Sequence, residues 1–449
     1  MKLSGWGRYP VLDCRTARVS TPDALPAWLA AADSLIPRGA GRGYGDAALN
    51  PALTLDMRGL DRLRDFDPAT GCLTAEAGLG LDDLLRLFVP RGWFPPVVPG
   101  TKFVTLGGMA AADVHGKNHH GAGSFGDHVR ALEIVRPDGA VVTCDRTREA
   151  ALFHASLGGM GLTGVIRAVT FDLVPVETAW LHAETRPAPD LDAVLAALDD
   201  AGTWPYSVAW LDLHAPGARR GRGLVHTGRH LSAAEATGPA RTAPRAPHRA
   251  GGWRVPDVVP SGLVGAPLLR AFNALTWRKS AAHKGEARGG TSGPVHYDPF
   301  FFPLDRLHAW NRLYGPRGFV QYQGVLPDAA SRAGLTALLD RVAAFGHPVA
   351  LAVLKRLGPG CPARPLSFPR QGHTLALDLP RRRETLTLLA ELEAITADHG
   401  GRIYLAKDAA TTPDRLAAGY PDLDAFRRLR EDIGARGRFE SALSRRLEL

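Results

Sequence analysis

The stretch Arg38-Gly39-Ala40-Gly41-Arg42-Gly43-Tyr44-Gly45-Asp46 constrains the fold more than any other in this 449-residue chain. Four glycines at alternate positions exclude a helix and an ordinary strand, because so much side-chain packing is lost and so much backbone freedom gained. They let successive backbone N–H groups turn inward around a phosphate or pyrophosphate. The run is neither a Walker loop nor GxGxxG. A tight turn between strands is the other reading these residues leave open.

A second glycine-rich stretch, Pro99-Gly100-Thr101 and then Thr105-Leu106-Gly107-Gly108-Met109-Ala110-Ala111-Ala112-Asp113, leads into a helix of small residues. A planar or extended ligand can lie against such a backbone, with the helix N-terminus toward an anion; close helix packing is the alternative. His115-Gly116-Lys117-Asn118-His119-His120 and the glycines after it form an irregular loop. Its imidazoles do not share one helical face as in HExxH, so acid/base work or an anionic substrate is expected in place of a metal.

Gly159-Met160-Gly161-Leu162-Thr163-Gly164 does match GxGxxG. A helix precedes it and a strand follows, the reverse of the dinucleotide fingerprint, so it is read as a turn that touches a cofactor through its backbone. Residues 401–407 read as a short apolar strand whose alternation turns Lys407 away from Ala406 and Asp408. Lys407 is one of only seven lysines among 54 basic residues, which favours a functional role over a surface ion pair.

The formal charge of +9 is concentrated. Residues 215–254 hold eight arginines against Glu235, and residues 278–290 hold Arg278, Lys279, Lys284 and Arg288 against Glu286, leaving the rest of the chain near neutral. Both segments lack periodicity and are expected to be mobile loops that meet an anionic membrane surface; solvated linkers are the alternative. Neither interleaves aromatics with its charges, so no nucleic-acid partner is expected. Four scattered cysteines without a CxxC pair exclude a disulfide scaffold and a zinc site. The start MKLSGWGRYP lacks a signal core and no apolar run can span a bilayer, so the expected location is cytoplasmic, peripheral at the membrane.

Hydrophobic periodicity gives an α+β pattern. Extended runs are predicted at 51–57 and 73–77, helices at 81–89 and 149–156, and a hairpin of 131–135 with 140–144 around Pro137-Asp138-Gly139. Residues 164–173 return as a strand. Beyond 174, helices at 191–199, 330–345 and 383–399 alternate with strands at 207–214, 319–326, 349–355 and 374–379, which reads as one antiparallel sheet backed by helices. An amphipathic helix follows at 421–433.

In order, RGAGRGYGDAALN, PGTKFVTLGGMAAADVHGKNHHGAGSFGDHV, LGGMGLTGVI, WNRLYGPRGFVQYQ, PLSFP, GRIYLAKD and SRRLEL resemble the flavoprotein oxidase subunit of the decaprenylphosphoryl-ribose 2'-epimerase, within the vanillyl-alcohol-oxidase type of FAD enzymes. The resemblance implies a two-domain fold with a PCMH-type FAD-binding domain and an inserted antiparallel-sheet substrate domain. The implied boundaries are 1–176 and 401–449 for FAD and 177–400 for substrate. Many members attach the flavin through a His where this chain has Arg42, or through a Cys in the loop that is here 100–108. Non-covalent FAD is therefore implied.

Carried over, the resemblance puts FAD contacts at Arg38, Gly39, Ala40, Gly41, Arg42, Gly43, Tyr44, Gly45, Asp46, Ala47, Gly100, Thr105, Leu106, Gly107, Gly108, Ala112, Asp113, Val114, His115, Ile166 and Tyr404. Lys407 and His115 would be catalytic, with the choice of base between them open, and Tyr44, Lys117, Gln323 and Lys355 would bind substrate. The implied activity is oxidation of the 2'-hydroxyl of a polyprenyl-phosphoryl pentose to a keto sugar, which an NADH-dependent keto-reductase partner would reduce to the epimer. Oxidation of another sugar, alditol or aldonolactone is the alternative, and a non-catalytic membrane-binding module is a third.

Overall fold

A computed structural model describes residues 1–215, 217–249, 251–263, 265–281 and 291–449. The N-terminal part opens on a small parallel sheet of β1 (Thr16–Arg18), β2 (Ile36–Arg38) and β3 (Thr54–Asp56), with β3 in the centre. The glycine-rich run leaves the end of β2. A five-stranded sheet follows, built from β4 (Leu63–Asp67), β5 (Cys72–Glu76), β6 (Val129–Val135), β7 (Val141–Asp145) and β8 (Val165–Asp172) in the order β7-β6-β8-β5-β4. All its pairs are antiparallel, and helices α1 (Leu81–Phe88) and α2 (Leu106–Ala111) lie between β5 and β6 in sequence. The predicted hairpin is β6-β7, with Gly139 at φ +84° in its turn. Leu84, Leu85 and Phe88 of α1 pack with Leu132, Ile134 and Val169 of the sheet into one apolar core.

An eight-stranded sheet forms the second layer. In chain order it consists of β9 (Trp180–Ala188), β10 (Tyr206–Leu211), β11 (Gly223–His230), β12 (Thr291–His296), β13 (Phe319–Pro327), β14 (Leu351–Leu357), β15 (Gly372–Pro380) and β16 (Arg402–Ile403). Their spatial order is β12-β9-β11-β10-β14-β15-β13-β16, antiparallel throughout. Helices α3 (Leu191–Asp200), α4 (Asp328–Phe345) and α5 (Thr385–Asp398) cover one face, where Leu338, Leu388 and Leu392 meet Tyr322, Leu354 and Leu377. The fold is α+β, as the sequence pattern indicates.

The C-terminal segment returns to the N-terminal part. Phe439 bridges Leu35, and Leu35, Leu53, Ala435 and Phe439 share a core. Among the described residues, no helix is long and apolar enough to cross a membrane.

Two expectations are corrected. Residues 215–254 are not a loop: Gly223–His230 is the inner strand β11, and Gly238–Thr242 is a helical turn. Its periodicity is masked because a neighbour takes the place of a side chain; a Cβ on Gly228 would stand 2.6 Å from the Phe300 ring. Three of its arginines, Arg220, Arg222 and Arg229, are ion-paired with Asp340, Asp212 and Glu235. In the second basic segment, Arg278 and Lys279 belong to the helix Ala266–Ala281, and the predicted loop 282–290 lies outside the described residues. Residues 401–407 form only the two-residue β16; Lys407 sits in a turn whose N–H donates to the Tyr404 carbonyl at 2.9 Å.

Candidate active site

A cavity of about 340 Å³ lies between the two large sheets. One end is backbone and small side chains: Gly39, Ala40, Gly41, Gly43, Gly107 and Gly108 all line it. The first group follows β2 directly, and the second is the start of α2, capped by Thr105, whose hydroxyl accepts from Gly108 N–H at 3.3 Å. Gly100 also faces the cavity, and a Cβ there would meet nothing within 4 Å. Such a wall offers N–H groups and a helix N-terminus to an anion without side chains in the way.

The other end is polar, and strand parity builds it. Residues two apart share a sheet face. Gln321 and Gln323 of β13, Lys355 of β14, and Thr374 and Ala376 of β15 therefore project together, with Gln323 opposite Ala376 and Lys355 opposite Thr374. His115 and the turn residues Tyr404, Ala406 and Lys407 complete the lining.

Gln323 Nε2 donates to His115 Nε2 at 3.1 Å and to Thr374 Oγ1 at 3.3 Å. The His115 ring packs beside Tyr404 and Phe368, with centroids 5.2 and 5.4 Å away, and its Nδ1 has no partner among the described residues. Burial, and then the fields of Lys355, His119 and Lys407, hold this imidazole well below its ordinary titration range, so it is neutral. Burial also depresses the nearby ammoniums. Lys355 falls to about 8, and Lys117 to about 7 with further help from Lys355. Lys407 is lowered by burial against the opposing pull of Asp378, and Lys355 lowers it further. Its Nζ stands 3.7 Å from the Tyr44 ring centroid.

The residues present fit FAD. A glycine-lined channel ends at an apolar and polar chamber holding an orphaned imidazole nitrogen and two ammoniums, Lys355 and Lys407. A pyrophosphate suits the first part and a planar ring the small-residue wall.

The comparisons with known proteins agree. Residues 16–145 match the family described as FAD binding domain. Decaprenylphosphoryl-beta-D-ribose oxidase of Mycolicibacterium smegmatis is 35% identical, covering 100% of this chain and 97% of that protein. The chain belongs to the FAD-dependent oxidoreductases of the vanillyl-alcohol-oxidase type. A Streptomyces coelicolor protein, described as an uncharacterized protein in the mprA 5' region, is 39% identical over 82% of this chain and 100% of its own length. L-Gulonolactone oxidase of Mus musculus is 30% identical over 35% of this chain and 36% of its own.

In this flavoprotein, Gly39, Ala40, Gly41, Arg42, Gly43, Tyr44, Ala47, Gly100, Thr105, Gly107, Gly108, Ala112, Val114, His115, Ile166 and Tyr404 line the cavity, as do Gln323, Lys355 and Lys407. Six residues singled out from the sequence do not. Arg38 donates to the Ser4 and Ala48 carbonyls, and Leu106 is core. Gly45 packs on the Asp408 carbonyl, and Asp46 is paired with Arg446. Asp113 accepts from Gly126 N–H, Arg364 and Ser367. Lys117 donates to the Phe300 carbonyl and feels the field of Lys355.

The sequence reading missed Gln321 and Asp378. Gln321 has the parity of Gln323, a signal already present in the predicted strand 319–326. Its amide donates to Asp378, which is 1% exposed and whose Oδ2 has no partner among the described residues. Trp6, which lies 3.9 Å from the Arg42 guanidinium and walls the cavity, carries no local signal.

Proposed function

We propose that this flavoprotein oxidises the 2'-hydroxyl of a polyprenyl-phosphoryl pentose to the keto sugar, with residues 1–176 and 401–449 holding FAD and residues 177–400 holding substrate. The carrying observation is the convergence of Lys355 and Lys407 on one chamber, backed by Lys117, which suits a ligand that is both anionic and rich in hydroxyls. The name of the full-length M. smegmatis relative supports the same substrate class.

Bound FAD supplies the hydride acceptor. The protein positions the carbinol and takes its proton. Lys407 is the base: burial favours its neutral amine, which accepts the hydroxyl proton as the carbinol hydrogen departs. His115 is not, since its Nε2 already accepts from Gln323; it keeps the proton on Nδ1 and donates from there. Lys355 and Gln323 engage the sugar hydroxyls or phosphate, while Tyr44 holds the Lys407 side chain in place. FAD is held without a covalent link, because Arg42 stands at the attachment position and no cysteine lines the cavity.

The decisive experiment mixes the yellow protein anaerobically with a polyprenyl-phosphoryl pentose, the free pentose, an alditol and an aldonolactone. Loss of flavin absorbance with the lipid-linked sugar alone, and a product lighter by two hydrogens, is the expected result. Bleaching by the lactone or alditol in its place would overturn the substrate assignment and leave the flavin chemistry standing.

An NADH-dependent keto-reductase is the partner this product calls for. A peripheral contact with anionic membrane is favoured by the stretch from Trp253 to Leu275. There Trp253, Val258, Leu263, Leu268 and Leu275 are exposed among Arg254 and Arg270, with Arg278 just beyond. Apolar side chains amid basic ones suit an acidic interface.

A further inference from the structure

Arg446 lies on the last helix, Ala442–Leu447, and joins two carboxylates behind the cavity wall, one in the glycine-rich loop and one next to Lys407. Its Nη2 donates to Asp46 Oδ1 at 2.9 Å and to Asp408 Oδ2 at 2.8 Å; its Nε donates to Asp46 Oδ2 at 3.2 Å. Asp46 closes the glycine-rich loop. Asp408 follows Lys407 and is itself fixed, because its Oδ1 accepts from the Ala410 and Thr411 N–H groups at 2.9 and 2.8 Å.

Loop and turn are in backbone contact at the same place. Tyr44 N–H donates to the Ala406 carbonyl at 2.9 Å, and a Cβ on Gly45 would stand 1.9 Å from the Asp408 carbonyl oxygen. Both carboxylates are nearly inaccessible, so without a cation between them they would repel across this seam. Arg446 also ties the helix to the Thr411 carbonyl, to which its Nη1 donates at 2.7 Å, and the helix has further anchors besides. Leu443 and Leu447 are fully buried, and Ser441 and Ser444 form a reciprocal cap.

We propose that Arg446 is a positioning residue that sets the spacing between the cofactor-holding loop and Lys407, so that FAD occupancy and the placement of the Lys407 amine are linked. The inference rests on the reading of Lys407 as the base. It assigns to the C-terminal helix a part in catalysis exerted through Asp46, Asp408 and the Thr411 carbonyl of the Lys407 segment. The planar fork makes four contacts at once, two to Asp46, one to Asp408 and one from Nη1 to the Thr411 carbonyl at 2.7 Å, a set that a single ammonium does not reproduce.

The test uses the full-length protein as Arg446→Met, Arg446→Lys, Lys407→Ala and the Arg446→Met/Lys407→Ala double variant. FAD dissociation constants are measured by fluorescence after adding FAD to the stripped protein. Flavin reduction by a polyprenyl-phosphoryl pentose is followed at saturating substrate. Arg446→Met is expected to weaken FAD binding about 10-fold and to slow reduction about 10- to 100-fold, the cost of a misplaced reacting group. Arg446→Lys should stay within about threefold of the Met variant. In the Lys407→Ala background, Arg446→Met should weaken FAD binding but slow reduction no further.

Equal slowing in both backgrounds would make Arg446 a general structural support and overturn the proposal. A normal Arg446→Met beside a slow Lys407→Ala would overturn it alone, whereas a normal Lys407→Ala would sink the reading beneath it. If Arg446→Met does not fold, Asp46→Asn and Arg446→Lys carry the same comparison.

Discussion

The ammonium nitrogen of Lys407 lies 3.7 Å from the centre of the Tyr44 ring, so a residue of the glycine-rich loop and a residue of the C-terminal segment meet face to face inside the cavity. The ring and Asp378 favour the charged amine, burial and Lys355 favour the neutral one, and burial, the largest effect, lowers the ammonium to about 7. Lys407→Ala should keep FAD yet lose substrate-driven flavin reduction by about 10² to 10⁴. Stopped-flow bleaching measures this, and near-native rates would return Lys407 to a packing role.

The same balance sets a pH dependence. A lysine lowered from its ordinary range acts as base only once deprotonated, so the reduction rate should rise with pH through the neutral region and then level off. His115 is already neutral there and adds no second limb. A profile that falls as pH rises would contradict the assignment of the base.

Lys355 gives a stability prediction with a definite sign. Its ordinary value of 10.5 drops to about 8 on folding, so between these values the unfolded chain holds a proton that the folded chain does not. Stability of the FAD-free protein therefore rises with pH across that window and loses its full share below it. Lys355→Met should be more stable than the native protein at pH 7 by up to about 3 kcal/mol, with the gain gone near pH 10.5. Denaturant titrations at several pH values check this; a gain independent of pH would place its origin in packing.

Acid precipitation should release all the flavin into the supernatant. Arg42 donates to the Phe103 carbonyl at 3.1 Å and lies over Trp6, and neither arrangement offers a bond to the ring. Colour retained in the pellet would refute non-covalent binding.

Liposome co-sedimentation probes the stretch from Trp253 to Leu275. Binding to acidic vesicles should weaken with salt, which screens about 1 kcal/mol for each basic residue engaged, and should weaken separately with Trp253→Ser/Leu268→Ser/Leu275→Ser, which removes apolar contact. Indifference to lipid charge would remove the membrane role.

Much of this architecture is legible in the residues. The hairpin β6-β7 is announced by its Asp-Gly turn, and β13, α4, β15 and α5 follow their apolar periods to within a few residues. Strand β11 is not, because Gly228 makes room for Phe300 and hides the alternation. The glycine-rich loop declares the cofactor wall, but Asp46 and Asp113 mislead. Each looks like a site carboxylate and turns instead to an arginine, Arg446 or Arg364, hundreds of residues away, where no local spacing links them. Ser367 and Phe368 show the converse. The motif PLSFP gains its meaning only in space, where Ser367 donates to Asp113 at 2.6 Å and Phe368 flanks His115.

The parity of β13, β14 and β15 separates two kinds of evolutionary freedom. Val320, Tyr322, Leu354, Leu375 and Leu377 answer to the helices and must stay apolar, whereas Gln321, Gln323, Lys355, Thr374 and Ala376 face the cavity and answer to the ligand and to the polar groups around it. Exchanges in the second set can retune which hydroxyl compound is accepted while the folding core and the glycine-lined wall stay untouched. A library confined to those five positions should thus yield altered selectivity at undiminished flavin content, with the sheet serving as a fixed frame for interchangeable side chains.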